Sequence, residues 1–304
     1  MASTTFHLNG FTADQPLGFL AAVGLLRSLD RAAPNWKSRL HWRQFGFWRA
    51  VFTVEAEAEL SDLVDRIVEA LDGSRSEIEG LMNGLDRNLS MDRAEVRRVL
   101  SLRSESVGGS LLQRMVSELP EREDRCSVSL LQMLNGAGRQ DYLPALSKLA
   151  RETDRAHLEK TLGASVWEMS DEARGGLTLR LDVMSDCSHA LQACVPNDMD
   201  MTSELAANRL AIEALGLFPC YPSRYPTTLG FHRRWRETLL RWPVWKMPLR
   251  VSELVGLTGI AEMAAPSDNR AMLKALGVEL VFESERRVVG KGKTLFSPSN
   301  AIPL

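Results

Sequence analysis

Positive charges alternate with aromatic rings between Phe231 and Lys246. This run contains Phe231-His232-Arg233-Arg234-Trp235-Arg236, then Arg241-Trp242 and Trp245-Lys246. Arginine and lysine bind phosphate and aromatic rings stack on unpaired bases, so the composition is typical of a surface that holds nucleic acid. Tryptophans at strand spacing are also common in protein cores, with arginines on the solvated face. The sequence is compatible with both interpretations.

Two further groups of basic residues accompany this run. One contains Arg286, Arg287, Lys291 and Lys293, and the other contains Arg39, Arg43 and Arg49. Because the formal net charge is only −2, any contact with nucleic acid has to come from a local patch. The predicted phosphate contacts are Arg233, Arg234, Arg236, Arg241, Lys246, Arg286, Arg287, Lys291 and Lys293.

Cys187-Ser188-His189, with Cys194 nearby, is the cluster that most resembles a set of metal ligands. Structural zinc sites use four ligands with short paired spacings. Here the two cysteines are seven positions apart and no second pair accompanies them. The spacing therefore predicts no metal site, and we expect buried cysteines beside a surface histidine.

Cofactor and catalytic motifs are also incomplete. Gly292-Lys293-Thr294 resembles the end of a phosphate-binding loop, but Arg287 occupies the position of the required first glycine and no helix is predicted to follow. We predict a basic hairpin turn there, no bound cofactor and no catalytic centre. The alternative from another class is an enzyme, either a metal-dependent nuclease or a hydrolase that uses His189 or His232.

Two apolar runs have the length of buried helices. The first spans Ala206–Pro219, where Arg209 and Glu213 are four positions apart and are predicted to pair. A second interpretation, in which Asn208 and Arg209 reach a ligand, stays open. The other run starts at Pro16 and ends near Leu29.

The helix from Pro16 contains small residues that predict the close approach of another element. These residues are Gly18, Ala21, Ala22 and Gly24. A glycine inside a helix costs about 1 kcal/mol relative to alanine, and close packing would offset that cost. We therefore expect the two apolar helices to form the heart of the core.

The remaining patterns predict one α+β domain over residues 1–304, with mixed helices and antiparallel strands around the two buried helices. Predicted strands cover 4–8, 39–43, 48–54, 127–133, 177–181 and 278–289, with the hairpin turn at Gln44-Phe45-Gly46. Helices at 60–71, 76–85, 91–102 and 110–119 predict a mainly helical insertion at about 55–125. Further helices are predicted at 140–152, 157–162 and 253–263, the last with Ser252 as its cap.

The chain carries no pattern for export or membrane insertion. Residues 1–30 lack the basic, apolar and small-residue order of a signal peptide, and no apolar run reaches the length of a membrane helix. The four cysteines are scattered. We expect a cytoplasmic protein with reduced thiols and no membrane contact.

Three stretches carry a family resemblance. The run Pro16–Arg27 resembles the opening signature of CRISPR-associated proteins of type I-U, now called I-G. Ala207–Leu215 with Phe218-Pro219 is similar to their second signature. Thr227–Phe231, followed by Trp242–Trp245 and Pro248-Leu249, is similar to the third. Order and spacing agree, so the resemblance spans most of the chain outside residues 55–125.

The resemblance implies membership of a type I CRISPR interference module, as a component similar to the large subunit of the guide-RNA surveillance complex (Cascade); with no catalytic centre predicted, we expect a non-catalytic subunit. Such a subunit would contact target DNA or the guide ribonucleoprotein and help recognise the target or recruit the helicase-nuclease. Its implied partners are other CRISPR-associated subunits, guide RNA, target DNA and the helicase-nuclease. Some members accompany the helicase-nuclease itself, and a pure protein–protein scaffold in the same system is a further alternative.

Overall fold

The computed structural model describes residues 3–82, 87–89, 92–101, 111, 113–122, 125–134, 141–164, 177–183, 203–221, 227–289 and 293–304. These ranges contain both helices and antiparallel strands, which confirms the predicted α+β class. The helices are α1 (Pro16–Ala32), α2 (Leu60–Met82), α3 (Arg93–Ser101), α4 (Tyr142–Glu152), α5 (Arg155–Gly163), α6 (Leu205–Leu215), α7 (Val251–Thr258) and α8 (Arg270–Ala275).

Two larger sheets and two short hairpins contain the described strands. The N-terminal sheet has the order β1-β3-β2, with β1 (Thr4–Thr12), β2 (Arg39–Phe45) and β3 (Phe47–Val54). The C-terminal sheet has the order β11-β10-β9-β8, with β8 (Phe231–Arg234), β9 (Glu237–Trp245), β10 (Val278–Val289) and β11 (Lys293–Phe296); β12 (Asn300–Pro303) also pairs with β10. The short hairpins are β4 (Val116–Arg122) with β5 (Arg125–Val128), and β6 (Cys220–Tyr221) with β7 (Thr227–Thr228).

Helices α1 and α6 pack directly on each other in the core, as predicted. All eleven residues of α6 are buried. A Cβ atom added at Gly24 of α1 would stand well inside the contact distance of the Leu210 carbonyl oxygen on α6. A Cβ atom added at Gly18 would likewise stand too close to the backbone carbonyl oxygen of Thr12. Glycine is therefore required at positions 18 and 24 by the close approach of neighbouring backbone.

An aromatic cluster joins α1 to both larger sheets. The ring of Phe19 lies 6.3 Å from that of Trp42 on β2 and 5.9 Å from that of Trp242 on β9, measured between centroids. Trp245 Nε1 donates a 2.8 Å hydrogen bond to the Leu40 carbonyl oxygen. Trp242 Nε1 donates one of 2.6 Å to that of Ala13. Trp242 and Trp245 thus satisfy their indole N–H while filling the core.

The predicted ion pair of α6 is present. Arg209 Nη1 lies 2.8 Å from Glu213 Oε1, and both side chains are buried. The side chain of Asn208 is also used internally, because its Oδ1 accepts from the Leu179 backbone N–H and its Nδ2 donates to Ser203 Oγ. The polar groups of Asn208 and Arg209 are therefore satisfied by partners within the protein, and no ligand is needed to explain them.

Several predicted boundaries were wrong. Helix α2 runs through Gly73 without a break, because an exposed glycine costs only about 1 kcal/mol and the buried face of α2 holds the helix in place. Residues 116–119 belong to β4 instead of a helix. The pattern of this short run is compatible with either structure, and pairing with β5 stabilises the strand. Residues 177–181 are buried but form no strand.

Other element ends shifted as well. Strand β1 continues past Asn9-Gly10 to Thr12, because its pairing with β3 is irregular after Leu8 but resumes at Thr12, opposite Arg49. Helix α7 is capped at Arg250 instead of Ser252, and it ends at Thr258. The predicted helical insertion contains α2 and α3 but also the β4–β5 hairpin. Within the described part of the chain, no helix combines the length and apolarity that crossing a bilayer requires.

Candidate nucleic-acid interface

The turn between β8 and β9 presents a tryptophan to solvent. The strands are joined by the two residues Trp235 and Arg236, and Arg234 pairs with Glu237 across the hairpin. Trp235 has φ of 57° and its side chain is 98% exposed. Tight hairpin turns favour glycine or asparagine where φ is positive, and a bulky residue there is an outlier. Trp235 therefore strains the backbone and adds no packing, which makes it a candidate for binding.

Three arginines surround this ring. Arg233, Arg234 and Arg236 are all exposed. Arg234 is held at the base of the turn, with Nε 2.8 Å from Glu237 Oε2 and Nη1 3.5 Å from Glu283 Oε1. No hydrogen bond or ion pair to another described residue engages Arg236. The turn thus combines one exposed indole with guanidinium groups on both sides.

The register of the C-terminal sheet brings a second basic group to the same end. Strand β10 runs antiparallel to β9 with Glu285 opposite Leu239, so residues 286–289 lie at the end where the β8–β9 turn sits. Strand β11 begins there with Lys293 opposite Val289. Arg287 is exposed and Lys293 partly exposed. We name this end of the sheet the turn surface; it comprises Arg233, Arg234, Trp235, Arg236, Arg287 and Lys293.

Two predicted contact residues instead face the protein interior. Arg241 is 7% exposed, and its Nε donates to Glu283 Oε2 at 2.7 Å while Nη1 donates to the carbonyl oxygen of Ala264. Arg286 Nε donates to the Leu130 carbonyl oxygen at 2.9 Å, and burial lowers the pKa of Arg286 to about 10. Guanidinium groups engaged in this way have few donors left for a phosphate, so the turn surface is defined without them.

The remaining predicted residues are dispersed. Lys246 lies at the opposite end of β9, with Nζ 2.9 Å from Glu279 Oε2 and 5.7 Å from the ring centroid of Trp48. Arg287 keeps an internal partner, since its Nε lies 2.6 Å from Glu285 Oε2. Lys291 lies outside the described residues. So do Cys187, His189 and Cys194, and the described part of the chain contains no group of three or more side chains suited to a metal.

Trp235 lies within the basic and aromatic run identified from the sequence, but it was not among the predicted contact residues. Trp242 and Trp245 are fully buried, so the core interpretation was right for these two. The distinguishing signal is strand alternation: Trp242 has Leu240 and Val244 two positions away, whereas Trp235 has Arg233 and Glu237. A ring without apolar neighbours on its own face is expected to be exposed.

His232, the described histidine of the hydrolase alternative, lies on β8 beneath the turn surface. Burial, and then the charge of Arg241, lower its pKa from the ordinary 6.5 to about 4. Its Nε2 is buried and finds no hydrogen-bond partner in the described ranges. His232 is therefore neutral at pH 7.

The depressed pKa of His232 predicts acid-sensitive stability. Above pH 6.5 both the folded and unfolded states carry a neutral imidazole; below it the unfolded state takes up the proton first, so stability is lost as the pH falls toward 4. The loss should be about 1–3 kcal/mol. Thermal unfolding at pH 7 and pH 5 should show a smaller decrease in Tm for His232→Gln than for wild type. Equal decreases would contradict the assignment.

Neither a scan against protein-family models nor a search of curated proteins found a match to this chain.

Proposed function

We propose that this protein is a non-catalytic subunit of a type I CRISPR interference complex and that its turn surface contacts nucleic acid. The main support for a nucleic-acid contact is the ring of Trp235, which is fully exposed and lies between arginines in a strained turn. The three sequence signatures support the CRISPR assignment. Its partners would be guide RNA, target DNA, other CRISPR-associated subunits and the helicase-nuclease, in the cytoplasm.

The chemistry of the turn surface favours a single strand over a duplex. An indole stacks on the face of an unpaired base, which contributes about 1–3 kcal/mol per base with little dependence on sequence. Bases inside a duplex already stack on each other and offer no free face. Arginine and lysine around the ring bind the phosphates of the same strand. A guide RNA or an opened target strand presents both features.

We expect substitutions in the turn surface to separate stacking from charge. Trp235→Ala should weaken binding of a labelled single-stranded oligonucleotide roughly tenfold, because one stacking contact is lost. Replacing Arg233, Arg234 and Arg236 together by alanine should reduce the slope of log Kd against log salt by about two. Fluorescence anisotropy at several salt concentrations measures both effects.

Arg66→Ala is the matched control for this experiment. Arg66 is exposed on α2, and its ion pair within the described part of the chain is with the nearby Glu69, at 3.1 Å, so its removal should leave affinity and salt slope unchanged. Unchanged binding in the Trp235 and triple arginine variants would show that the turn surface is not the contact.

The CRISPR assignment has its own test. Tagged protein isolated from its native cells should bring down guide RNA together with other CRISPR-associated subunits, identified by RNA sequencing and mass spectrometry. Isolation of the protein without either would contradict the assignment, whatever the oligonucleotide experiments show.

A further inference from the structure

The N-terminal sheet has one face that packs on the core and another that faces outward. On the inner face, alternate residues such as Leu8, Trp42 and Phe52 are buried against α1 and its neighbours. The residues between them point to the opposite side. We name that side the outer face; it comprises Thr5, His7, Arg39, His41, Arg43, Phe45, Phe47, Arg49, Val51 and Thr53.

Half of the residues on the outer face are exposed, and two of these exposed residues are aromatic. Phe45 is 77% exposed and Phe47 is 59% exposed. Thr5, His7 and Arg43 are also exposed, whereas Val51 is buried beneath its neighbours. Two adjacent exposed phenylalanines are unfavourable in water, so their presence points to an interaction.

Strand register orders these residues in rows. Phe45 pairs with Phe47 next to the turn, Arg43 pairs with Arg49 in the next row, and His41 and His7 flank Val51 in the row after that. Arg39 and Thr5 flank Thr53 in the last row. Rows two residues apart are separated by about 7 Å, so rings, arginines and histidines form a strip about 20 Å long.

The strip carries an excess of positive charge. Arg43 and Arg49 stand directly opposite each other, and like charges in that position destabilise a sheet. Glu55 binds Arg39 at the far end of the strip, with 3.2 Å between Nη2 and Oε1. Burial, followed by the charges of His7 and Arg43, lowers the pKa of His41. The predominance of arginine on this strip is suited to an anionic ligand.

Rings and arginines are interleaved in a way that suits a nucleic-acid strand. The guanidinium of Arg49 lies 5.9 Å from the ring centroid of Phe45, so charge and stacking surface are adjacent. An antiparallel sheet with exposed aromatic residues on one face and a helix on the other is a known platform for stacked, unpaired bases. An apolar protein partner would instead require a continuous apolar patch with charges at its rim.

We infer that the outer face of the N-terminal sheet is a binding site for single-stranded nucleic acid. Phe45 and Phe47 stack on bases, and Arg43 and Arg49 bind the flanking phosphates. The site lies on a different sheet from the turn surface and does not depend on the proposed role of Trp235. RNA and DNA share the chemistry that these residues recognise, so the experiment has an arm for each.

Binding is measured with the purified full chain and labelled 20-nucleotide probes of mixed sequence: single-stranded RNA, single-stranded DNA and a DNA duplex. In the Trp235→Ala background, adding Phe45→Ala and Phe47→Ala should weaken binding of a single strand at least tenfold. Adding Arg43→Gln and Arg49→Gln instead should flatten the salt slope by about 1.4. All four side chains lie on the outward side of the sheet, and unchanged Tm values verify that each variant is folded.

Ultraviolet crosslinking with peptide mapping locates the strand independently. Crosslinks within residues 39–54 support the outer face, whereas crosslinks within 231–241 report on the turn surface, so the two proposals fail separately. Tighter binding of the RNA probe indicates that the ligand is single-stranded RNA, and tighter or equal binding of the DNA probe indicates single-stranded DNA; either result supports the site. Absence of crosslinks in 39–54, together with unchanged affinities of both variants, would overturn it. Loss of a protein partner with unchanged nucleic-acid binding would overturn it as well.

Discussion

Gly24→Ala is expected to destabilise the protein by about 3 kcal/mol. The new Cβ atom would overlap the Leu210 carbonyl oxygen and crowd the backbone N of Ala214, so α1 and α6 would have to move apart. Overpacking of this kind costs about 1–3 kcal/mol or more, and here the obstacle is helix backbone that cannot rotate away. Urea unfolding, followed by circular dichroism, measures the free energy of unfolding.

Gly73→Ala is the matched control. Gly73 lies in the interior of α2 and is exposed, and no atom of the described residues lies within 4 Å of the position of a new Cβ. Alanine should therefore stabilise the protein by about 0.5–1 kcal/mol, because it restricts the unfolded chain and favours the helix. If both glycine variants shifted the unfolding midpoint in the same direction by the same amount, the packing explanation for Gly24 would be wrong.

Glu213→Ala is expected to cost about 3–5 kcal/mol, because it leaves a buried guanidinium without its counter-ion. Glu213 Oε1 accepts hydrogen bonds from Arg209 and from Ser74 Oγ, and Oε2 lies 3.4 Å from Arg31 Nη1. Burial raises the pKa of Glu213. The charge of Arg209 and the hydrogen bonds from Ser74 and Arg209 have a larger opposite effect, so the pKa lies below its ordinary value. This contribution is present at neutral pH and is lost as the pH falls through the folded-state pKa.

Two comparisons isolate the buried pair. Replacing both partners, as Arg209→Met with Glu213→Leu, should recover much of the loss, since an apolar pair of similar volume avoids the unpaired charge. Arg66→Ala breaks an exposed pair on α2 and should change stability by less than about 0.5 kcal/mol. A double variant as unstable as Glu213→Ala would indicate that lost packing, not the unpaired charge, causes the effect.

Features that depend on neighbours in sequence were predictable. The two apolar helices, the β2–β3 hairpin and the single long strand β10 follow from hydrophobic periodicity and turn residues. The pair of Arg209 and Glu213 follows from their spacing of four on a helix. The small residues of α1 also predicted a close contact, although they did not say that Gly24 would meet α6 and Gly18 would meet β1.

The candidate site was only partly predictable. Arg233, Arg234 and Arg236 were identified from composition, but composition does not distinguish them from Arg241, which binds Glu283 inside the fold. Lys246 was grouped with them because it is near in sequence, yet a nine-residue strand places it at the far end of β9. Proximity along the chain is a poor guide to proximity in a strand, which extends about 3.3 Å per residue.

Sequence alone therefore determined most of the helices and strands and the chemical types available to this protein, because helix and strand patterns depend on residues a few positions apart. Tertiary structure decided which charges reach the surface. The register of β9 against β10 brings Arg287 and Lys293 to the end of the sheet that carries Trp235, and the long-range contacts of Arg286 take it inward. Burial and register arise from pairings between residues far apart in the chain, and no local pattern encodes them.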